Sequence, residues 1–107
     1  VVLYYDPEAE VQIPSDINLV GNYPNPFNPS TKIFYFVESD YELVNISILD
    51  LLGREVKVLY DGIDVRGYHE IDWDGTNANG NQLGSGIYFI NAKIGDRQIY
   101  KKVMKLK

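Results

Sequence analysis

The feature that most constrains the fold of this chain is a series of short apolar runs with a period of two, rich in Val, Ile, Tyr and Phe. Each run is bounded by Gly, Asn, Asp or Pro, which favour turns. The runs predict strands at residues 31–37, 43–51, 55–60, 67–73, 86–94 and 98–106, with a further one near residues 17–20. No segment carries an apolar stripe of helical period, so we expect almost no helix. Regularly spaced short strands predict an all-β sandwich or barrel.

Turn residues divide these runs into hairpins. Gly53 predicts a tight hairpin in which it takes a positive φ, and Gly95 predicts the turn between the last two strands, which we expect to be antiparallel neighbours. The longest polar loop, residues 74–85, contains a strong turn signal at Gly80.

Alternation along the strands predicts the core, in which Trp73 is the largest expected residue. On the last strand Val103 and Met104 are adjacent, so the inward face is ambiguous. The position of Lys105 beside Leu106 favours Met104 and Leu106 as the inward pair. The other predicted core residues are Ile33, Tyr35, Val37, Val44, Ile46, Ile48, Ile71, Tyr88, Ile90, Ala92 and Ile94.

Length and composition narrow the functional classes. A chain of 107 residues predicts one domain without an interdomain cleft. The absence of cysteine excludes disulfides and thiolate sites, and the single His69 cannot make a histidine-rich metal site. The net charge of −5 disfavours nucleic acid and anionic membranes, and no run reaches the ~18 apolar residues of a membrane span. We expect a domain that is not an enzyme, has no nucleic-acid partner and does not insert into membranes.

The charge is unevenly distributed along the chain. Residues 93–107 hold six basic residues against Asp96, a local charge of +5, so residues 1–92 carry −10. Two explanations fit this basic end: an edge strand kept soluble by lysines, or a signal recognised by a partner.

The first 16 residues read differently from the rest. An apolar run at residues 1–5 is followed by a proline-containing acidic stretch that suits an extended connector. We expect residues 1–16 to be a linker or the end of an upstream domain, and residues 17–107 to be the domain proper. Because the chain begins at Val1 without a start Met or a signal-peptide pattern, we expect it to be part of a longer protein.

Two sets of acidic or amide side chains are candidates for a catalytic or a metal site. Asp72 and Asp74 offer a carboxylate pair, but strand-end residues that bond the turn backbone are the simpler explanation. Asp74, Asn77 and Asn79 are the weak metal candidates, since their loop offers the oxygen atoms that calcium binds. Their spacing departs from the EF-hand pattern. We therefore expect no cofactor, with calcium as the alternative. We expect His69 to be a strand-end or partly buried side chain and not a metal ligand.

Aromatic residues offer a second interpretation, a carbohydrate-binding surface. The chain has nine tyrosines and one tryptophan, of which we expect Tyr41, Tyr60, Tyr68 and Tyr100 to be exposed. They fall on different strands, and aromatic residues are also typical of sandwich cores.

A proline-rich stretch has a clear physical meaning. Residues 22–29 read N-Y-P-N-P-F-N-P, and their prolines fix φ and remove hydrogen-bond donors, which excludes a central strand and predicts a stiff edge or corner. We expect Phe27 to plug the end of the core, and Asn25 and Asn28 to bond local backbone. The structural residues predicted around this motif are Asn22, Pro24, Asn25, Pro26, Phe27, Asn28, Pro29 and Trp73.

Several motifs in order carry a family resemblance over about residues 17–107. After N-Y-P-N-P-F-N-P come D-L-L-G-R-E-V at 50–56, G-Y-H-E-I-D-W-D-G at 67–75, N-G-N-Q-L-G-S-G-I-Y-F at 79–89 and a terminal K-K-V-M-K-L-K. This order resembles the type A C-terminal sorting domain of type IX secretion substrates. It is also similar to the immunoglobulin-like domain named after the flagellar hook-capping protein. The resemblance implies an immunoglobulin-like antiparallel β-sandwich of about seven strands.

The resemblance also implies a delivery function. Such domains carry an upstream cargo domain of the same chain through the type IX outer-membrane translocon of Gram-negative bacteria, from the periplasm to the cell surface. An outer-membrane shuttle and a sortase-like protease are the implied partners, and any cleavage is expected between residues 8 and 17. Lys105 departs from the family pattern, which has an apolar residue there in many members. The residues implied for partner recognition are Gly86, Tyr88, Gly95, Lys101, Lys102, Val103 and Lys107.

The expected mechanism is presentation of a strand edge with lysines by the last hairpin, by β-augmentation or docking. Two alternatives remain: a passive immunoglobulin-like spacer or adhesion module, and a carbohydrate-binding module of a secreted multidomain protein.

Overall fold

The computed structural model describes residues 20–106, where all regular structure is β-strand. Its elements are β1 (Val20–Tyr23), β2 (Thr31–Leu49), β3 (Glu55–Trp73), β4 (Gly86–Ile94) and β5 (Arg97–Lys105). All pairings between these strands are antiparallel. The all-β prediction is confirmed. Within the described range, no helix is long and apolar enough to cross a membrane.

The strands number five instead of seven because two predicted pairs are continuous. The predicted strands at 31–37 and 43–51 are both part of β2, and those at 55–60 and 67–73 are both part of β3. The polar stretches between them have the composition of loops. The two strands nevertheless stay side by side through the bend, with a shift of register between Val37 and Tyr41. Of the predicted strand at 17–20, only Val20 lies within the described residues.

The bend in β2 places its two halves in different layers of the sandwich. Residues 32–35 pair with β1, and residues 31–37 pair with the end of β3. Residues 44–49 pair instead with β4 and with the beginning of β3, while β5 pairs with β4. One curled sheet therefore supplies both layers, consistent with an immunoglobulin-like sandwich.

Most predicted core residues are buried between the two layers. Ile71 and Tyr88 are half-buried against this core, and Val20, Phe27, Ile99 and Val103 complete it. The Phe27 ring lies 5.2 Å from the Trp73 ring, so the prediction that Phe27 plugs the core is confirmed. The confirmed fully buried set is Ile33, Tyr35, Val37, Val44, Ile46, Ile48, Trp73, Ile90, Ala92 and Ile94.

The predicted inward face of the last strand is wrong. Val103 is 0% exposed and Lys105 only 7%, whereas Leu106 is 48% exposed and Met104 is half-buried. Lys105 fits inside because its apolar stem lies over Gly75, which has no side chain. A Cβ on Gly75 would lie 2.5 Å from Lys105 Cε.

The predicted turns are confirmed. Gly53, in the turn between β2 and β3, has a φ of 84°, and Gly95, between β4 and β5, has a φ of 64°. The Gly95 N–H also donates a hydrogen bond of 2.8 Å to the Leu43 carbonyl, which ties the last hairpin to β2.

Candidate functional site

The proline-rich segment lies against the C-terminal half of β5. The Phe27 N–H donates to the Met104 carbonyl at 3.0 Å, and the Phe27 carbonyl accepts from the Leu106 N–H at 2.9 Å. Asn25 Oδ1 accepts from the Met104 N–H at 3.0 Å, and Asn25 Nδ2 donates to the Lys102 carbonyl at 3.3 Å. We call these five residues the clamp. It joins the two motifs that lie at opposite ends of the sequence.

The clamp corrects one prediction about the proline motif. Asn25 was expected to bond local backbone. Its partners are instead the main-chain groups of Lys102 and Met104, which lie 77 and 79 positions further along the sequence. The reason is that the motif runs alongside β5, where Phe27 forms an isolated parallel bridge with Lys105. The prediction that this stretch forms an edge, and no central strand, is confirmed. For Asn28, which is exposed, the bond to local backbone stays a prediction.

The beginning of the proline motif is braced by side chains at its two ends. Asn22 Nδ2 donates to Thr31 Oγ1 at 3.0 Å, and the Thr31 hydroxyl donates to the Pro24 carbonyl at 2.9 Å. The peptide bonds that precede Pro24, Pro26 and Pro29 are cis. Asn22 and Thr31 thus close the loop that delivers Asn25 and Phe27 to β5.

The N-terminal half of β5 has an open edge. Met104 bonds Asn25 and Phe27 through its own N–H and carbonyl, so these two groups point away from β4. In an antiparallel pair, the main-chain groups of every second residue point in the same direction. Gln98, Tyr100 and Lys102 are therefore the other outward residues. Within the described part of the chain, the outward groups of Gln98 and Tyr100 and the Lys102 N–H have no main-chain partner. We call residues 98–102 the open edge.

A positively charged groove lies next to the open edge. It separates β1 from β5, has a volume of about 470 Å³ and includes the side chains of Lys101 and Lys102 in its wall. Lys101 is half-buried and Lys102 is exposed, and neither forms an ion pair with the described residues. The remaining lining residues are Val20, Gly21, Asn22, Asn25 and Phe34.

The residues implied for partner recognition occupy different environments. Lys101 and Lys102 lie at the groove, while Val103 is fully buried and contributes to the core. Tyr88 packs 5.8 Å from Trp73 and donates its hydroxyl to the Gly84 carbonyl at 2.8 Å. Gly86 begins β4, Gly95 follows its last residue, and Lys107 lies outside the described residues.

The oxygen atoms proposed as weak metal ligands are used by the loop itself. Asp74 Oδ1 accepts hydrogen bonds from the Thr76 hydroxyl at 2.5 Å and the Thr76 N–H at 3.2 Å, which lowers the pKa of this carboxyl. Asn77 Oδ1 accepts from the N–H groups of Asn79 and Asn81. These bonds are the turn bonds preferred from the sequence. Residues 20–106 contain no group of three or more His, Asp or Glu placed to hold a metal ion.

The candidate carboxylate pair is divided between two lysines. Asp72 accepts from Lys32 Nζ at 3.0 Å, and Asp74 lies 3.6 Å from Lys57 Nζ. Each carboxylate thus has its own cation on the surface, an arrangement typical of solvent-exposed strand ends.

One partly buried polar cluster was not predicted from the sequence. The hydroxyl of Tyr35 donates to Asp64 at 2.5 Å, and that of Tyr60 donates to the same carboxylate at 3.2 Å. His69 stacks on Tyr35 at 5.3 Å, and its Nε2 lies 2.7 Å from the Val65 carbonyl. Burial is the main cause that raises the pKa of Tyr35. The cluster braces the bend of β2 and β3, and no sequence signal links Tyr35 with Asp64.

The exposed aromatic residues do not follow one strand. Tyr41, Tyr68 and Tyr100 are exposed as predicted, on β2, β3 and β5 respectively. Tyr60 is half-buried, because its hydroxyl turns back to Asp64, and the prediction of its exposure is wrong. Tyr23 is a further exposed aromatic residue.

The family described as the FlgD Ig-like domain matches residues 29–97, which is more than half of the chain. The chain belongs to the FlgD Ig-like domain family. No curated protein sequence matches the chain significantly.

Three solved structures resemble this FlgD Ig-like domain. Dimeric latent PorU from Porphyromonas gingivalis matches with a TM-score of 0.67 and 26% identity, covering 81% of this chain and 9% of PorU. FlgD from Xanthomonas campestris, whose structure concerns hook capping in flagellar assembly, matches with a TM-score of 0.55 and 28% identity, covering 80% of this chain and 61% of FlgD.

The third similar structure is PorZ of Porphyromonas gingivalis, described as an essential bacterial surface component of the type IX secretion system. It matches with a TM-score of 0.55 and 19% identity, covering 88% of this chain and 12% of PorZ, and so shows the fold alone. The chain spans less than two thirds of each of the three proteins.

Proposed function

We propose that this domain is a non-catalytic C-terminal secretion signal of the type A sorting class, which directs an exported parent protein through the type IX outer-membrane translocon to the cell surface. The observation that carries the proposal is the clamp. It bonds the N-Y-P-N-P-F-N-P motif to the terminal strand, so the two most distinctive motifs of the resemblance form one structural unit.

The similar structures support this proposal in different degrees. PorU is similar in both sequence and fold, and PorZ, similar in fold, is described as a surface component of the type IX system. FlgD has the same fold and belongs to a flagellar structure. Because one fold serves different functions, the sorting proposal depends on the terminal hairpin more than on the sandwich.

The open edge is the proposed recognition surface. A strand of a translocon-associated partner, such as the outer-membrane shuttle, adds to residues 98–102 and bonds the outward groups of Gln98, Tyr100 and Lys102. Main-chain bonds supply affinity. Lys101 and Lys102, which form no ion pair within residues 20–106, favour an acidic partner strand and fix its register. A sortase-like protease then cuts between residues 8 and 17 to release the cargo.

The test is delivery of a reporter. Residues 1–107 are fused to the C-terminus of a periplasmic reporter in a bacterium that has type IX secretion, and surface exposure is measured by protease accessibility on intact cells. The matched control carries the FlgD Ig-like domain of Xanthomonas campestris, which has the same fold. We expect the reporter at the surface with this domain and in the periplasm with the control. Equal location of both fusions would contradict the proposal.

Substitution of the two groove lysines refines the test. Deletion of residues 101–107 would also remove most of the clamp and the buried Val103, so loss of delivery could follow from unfolding. Lys101→Gln with Lys102→Gln keeps both chain length and fold. We expect it to reduce surface delivery severalfold, whereas Lys32→Gln, on the other layer, leaves delivery unchanged.

The second candidate is a passive immunoglobulin-like spacer or adhesion module, which the match to the FlgD Ig-like domain family favours. A spacer predicts that neither the clamp nor the open edge affects the location of the parent protein. The lysine variant therefore separates the two candidates.

A further inference from the structure

The last strand, β5, carries a lysine whose side chain is mostly buried. Lys105 is 7% exposed, with its Cδ and Cε over Gly75. Most lysines keep the charged end in bulk water, because burial of an ammonium without a partner is costly. The Lys105 ammonium is not among the buried polar groups without a partner in residues 20–106, because the stem is buried while the charged end reaches the wall of a cleft. The buried stem limits the positions that this cation can take.

No counter-charge is present in the described part of the chain. Within residues 20–106, no carboxylate lies within ion-pair distance of Lys105 and no hydrogen bond of its ammonium is formed. The nearest acidic residue along the loop, Asp74, is bonded to Thr76 and Lys57. The Gln82 amide is turned to the Asp74 carbonyl, to which its Nε2 donates at 3.0 Å.

Lys105 forms part of the wall of a cleft. The cleft has a volume of about 600 Å³ and lies between the proline motif and the end of the 74–85 loop. Its other lining residues are Asn28, Pro29, Gln82, Leu83, Gly84 and Ser85. This is a different surface from the groove beside the open edge, which lies between β1 and β5.

We propose that this cleft binds the carboxylate of an Asp or Glu side chain in a partner polypeptide, with the Lys105 ammonium as its counter-ion. A carboxylate matches a single ammonium in charge, and a charge-assisted bond inside a cleft is stronger than one on the open surface. The Ser85 hydroxyl is a further donor at the wall.

The size and walls of the cleft favour a polypeptide over a small anion. A cleft of about 600 Å³ is far larger than one carboxylate or phosphate group. The rings and methyl groups of Pro29 and Leu83 offer apolar contact for the methylene stem of an acidic side chain and for its neighbours. This inference stands apart from the export proposal, and either can fail without the other.

The test is a titration of isotope-labelled residues 1–107 followed by NMR. The probe is the blocked peptide acetyl-Gly-Glu-Gly-amide, and its matched control is the same peptide with Gln. We expect saturable shifts of the amides of Leu83, Gly84 and Ser85 with the Glu peptide alone. Lys105→Met, which keeps the apolar stem, weakens binding by about tenfold or more, and Lys93→Met, at an exposed lysine of β4, leaves it unchanged.

Several outcomes would overturn the inference. These are the absence of saturable shifts, equal shifts with the two peptides, and unchanged binding by the Lys105→Met variant. Inorganic phosphate or acetate binding as tightly as the Glu peptide would show a small-anion site and overturn the assignment to a polypeptide.

A second variant covers the case in which Lys105→Met does not fold. Ser85→Glu places a carboxylate at the cleft within the same chain. We expect this change to raise the melting temperature relative to Ser85→Gln and to abolish binding of the Glu peptide. Equal melting temperatures for the two variants together with unchanged peptide binding would contradict the inference.

Discussion

The two halves of β5 belong to one strand and pair with the same neighbour, yet their outer edges differ. Residues 102–106 are covered by the clamp, in which Asn25 and Phe27 satisfy outward main-chain groups. Residues 98–102 carry outward groups with no main-chain partner in the described structure. An uncovered strand edge is a template for pairing with another chain. The difference is consistent with a structural role for the covered half and with the recognition role proposed for the open half.

This comparison also explains the proline motif. Prolines cannot continue a sheet, so a proline-rich segment can cover an edge without offering a new edge of its own. Asn25 replaces the main-chain pairing that prolines cannot provide, with one acceptor and one donor on the same side chain.

The largest expected effect comes from breaking the closed half at its buried end. Phe27→Ala removes a fully buried ring from Trp73 and should lower the free energy of unfolding by about 3–5 kcal/mol. Denaturant unfolding measures this loss. The control is Tyr23→Ala, since Tyr23 is 75% exposed, and it should change stability by less than about 0.5 kcal/mol. Equal losses in both variants would refute the closing role of Phe27.

A smaller effect is expected when the closed half is opened without touching the core. Asn25→Ala removes two exposed hydrogen bonds to β5 and should cost about 1 kcal/mol. Hydrogen exchange of the Met104 amide should accelerate towards the rate of the Tyr100 amide. Asn81→Ala, in the loop after Gly80, is the control and leaves the Met104 amide protected. An unchanged Met104 rate in Asn25→Ala would show that Asn25 does not cover the edge.

The smallest expected effect is a pH dependence of the free energy of unfolding, which arises from Asp74 in the loop after β3. Mainly the Thr76 hydroxyl, and also Lys57, hold the pKa of Asp74 below its usual value. The contribution of Asp74 is therefore complete above its unfolded pKa of about 3.9 and is lost as the pH falls through the lower folded pKa. Unfolding of wild type and Asp74→Asn at about pH 6 and about pH 3 measures it.

The advantage of the wild type over Asp74→Asn should shrink in acid. The clamp contains no carboxylate, so the exchange difference between the two halves of β5 should persist there. A constant advantage at both pH values would contradict the role given to Asp74.

Local patterns were sufficient to predict much of this fold. Alternation identified the buried faces of β2 and β4, and the glycines at 53 and 95 identified the hairpins. The plug formed by Phe27 was also predictable, since a large apolar residue among prolines has few other places to go. These features depend on neighbours within a few residues.

The features that were missed depend on distant contacts. The continuity of β2 and β3 is maintained by pairing between residues far apart in sequence, which a polar stretch does not reveal. The partners of Asn25 are more than 70 residues away. The inward position of Lys105 depends on space left by Gly75, which lies in the loop after β3. Most of the candidate site depends on such contacts between residues that are distant in sequence.

The central claim is that a partner strand binds the open half of β5. Removal of a single main-chain N–H from that half tests this claim. Tyr100→Pro removes an outward N–H while the bonds to β4, made by the alternate residues, remain. Tyr100→Ala is the matched control, because it loses the same side chain and keeps the N–H. With both variants folded, we predict that the reporter fusion reaches the cell surface with alanine and stays in the periplasm with proline. Equal delivery of the two variants would contradict the claim.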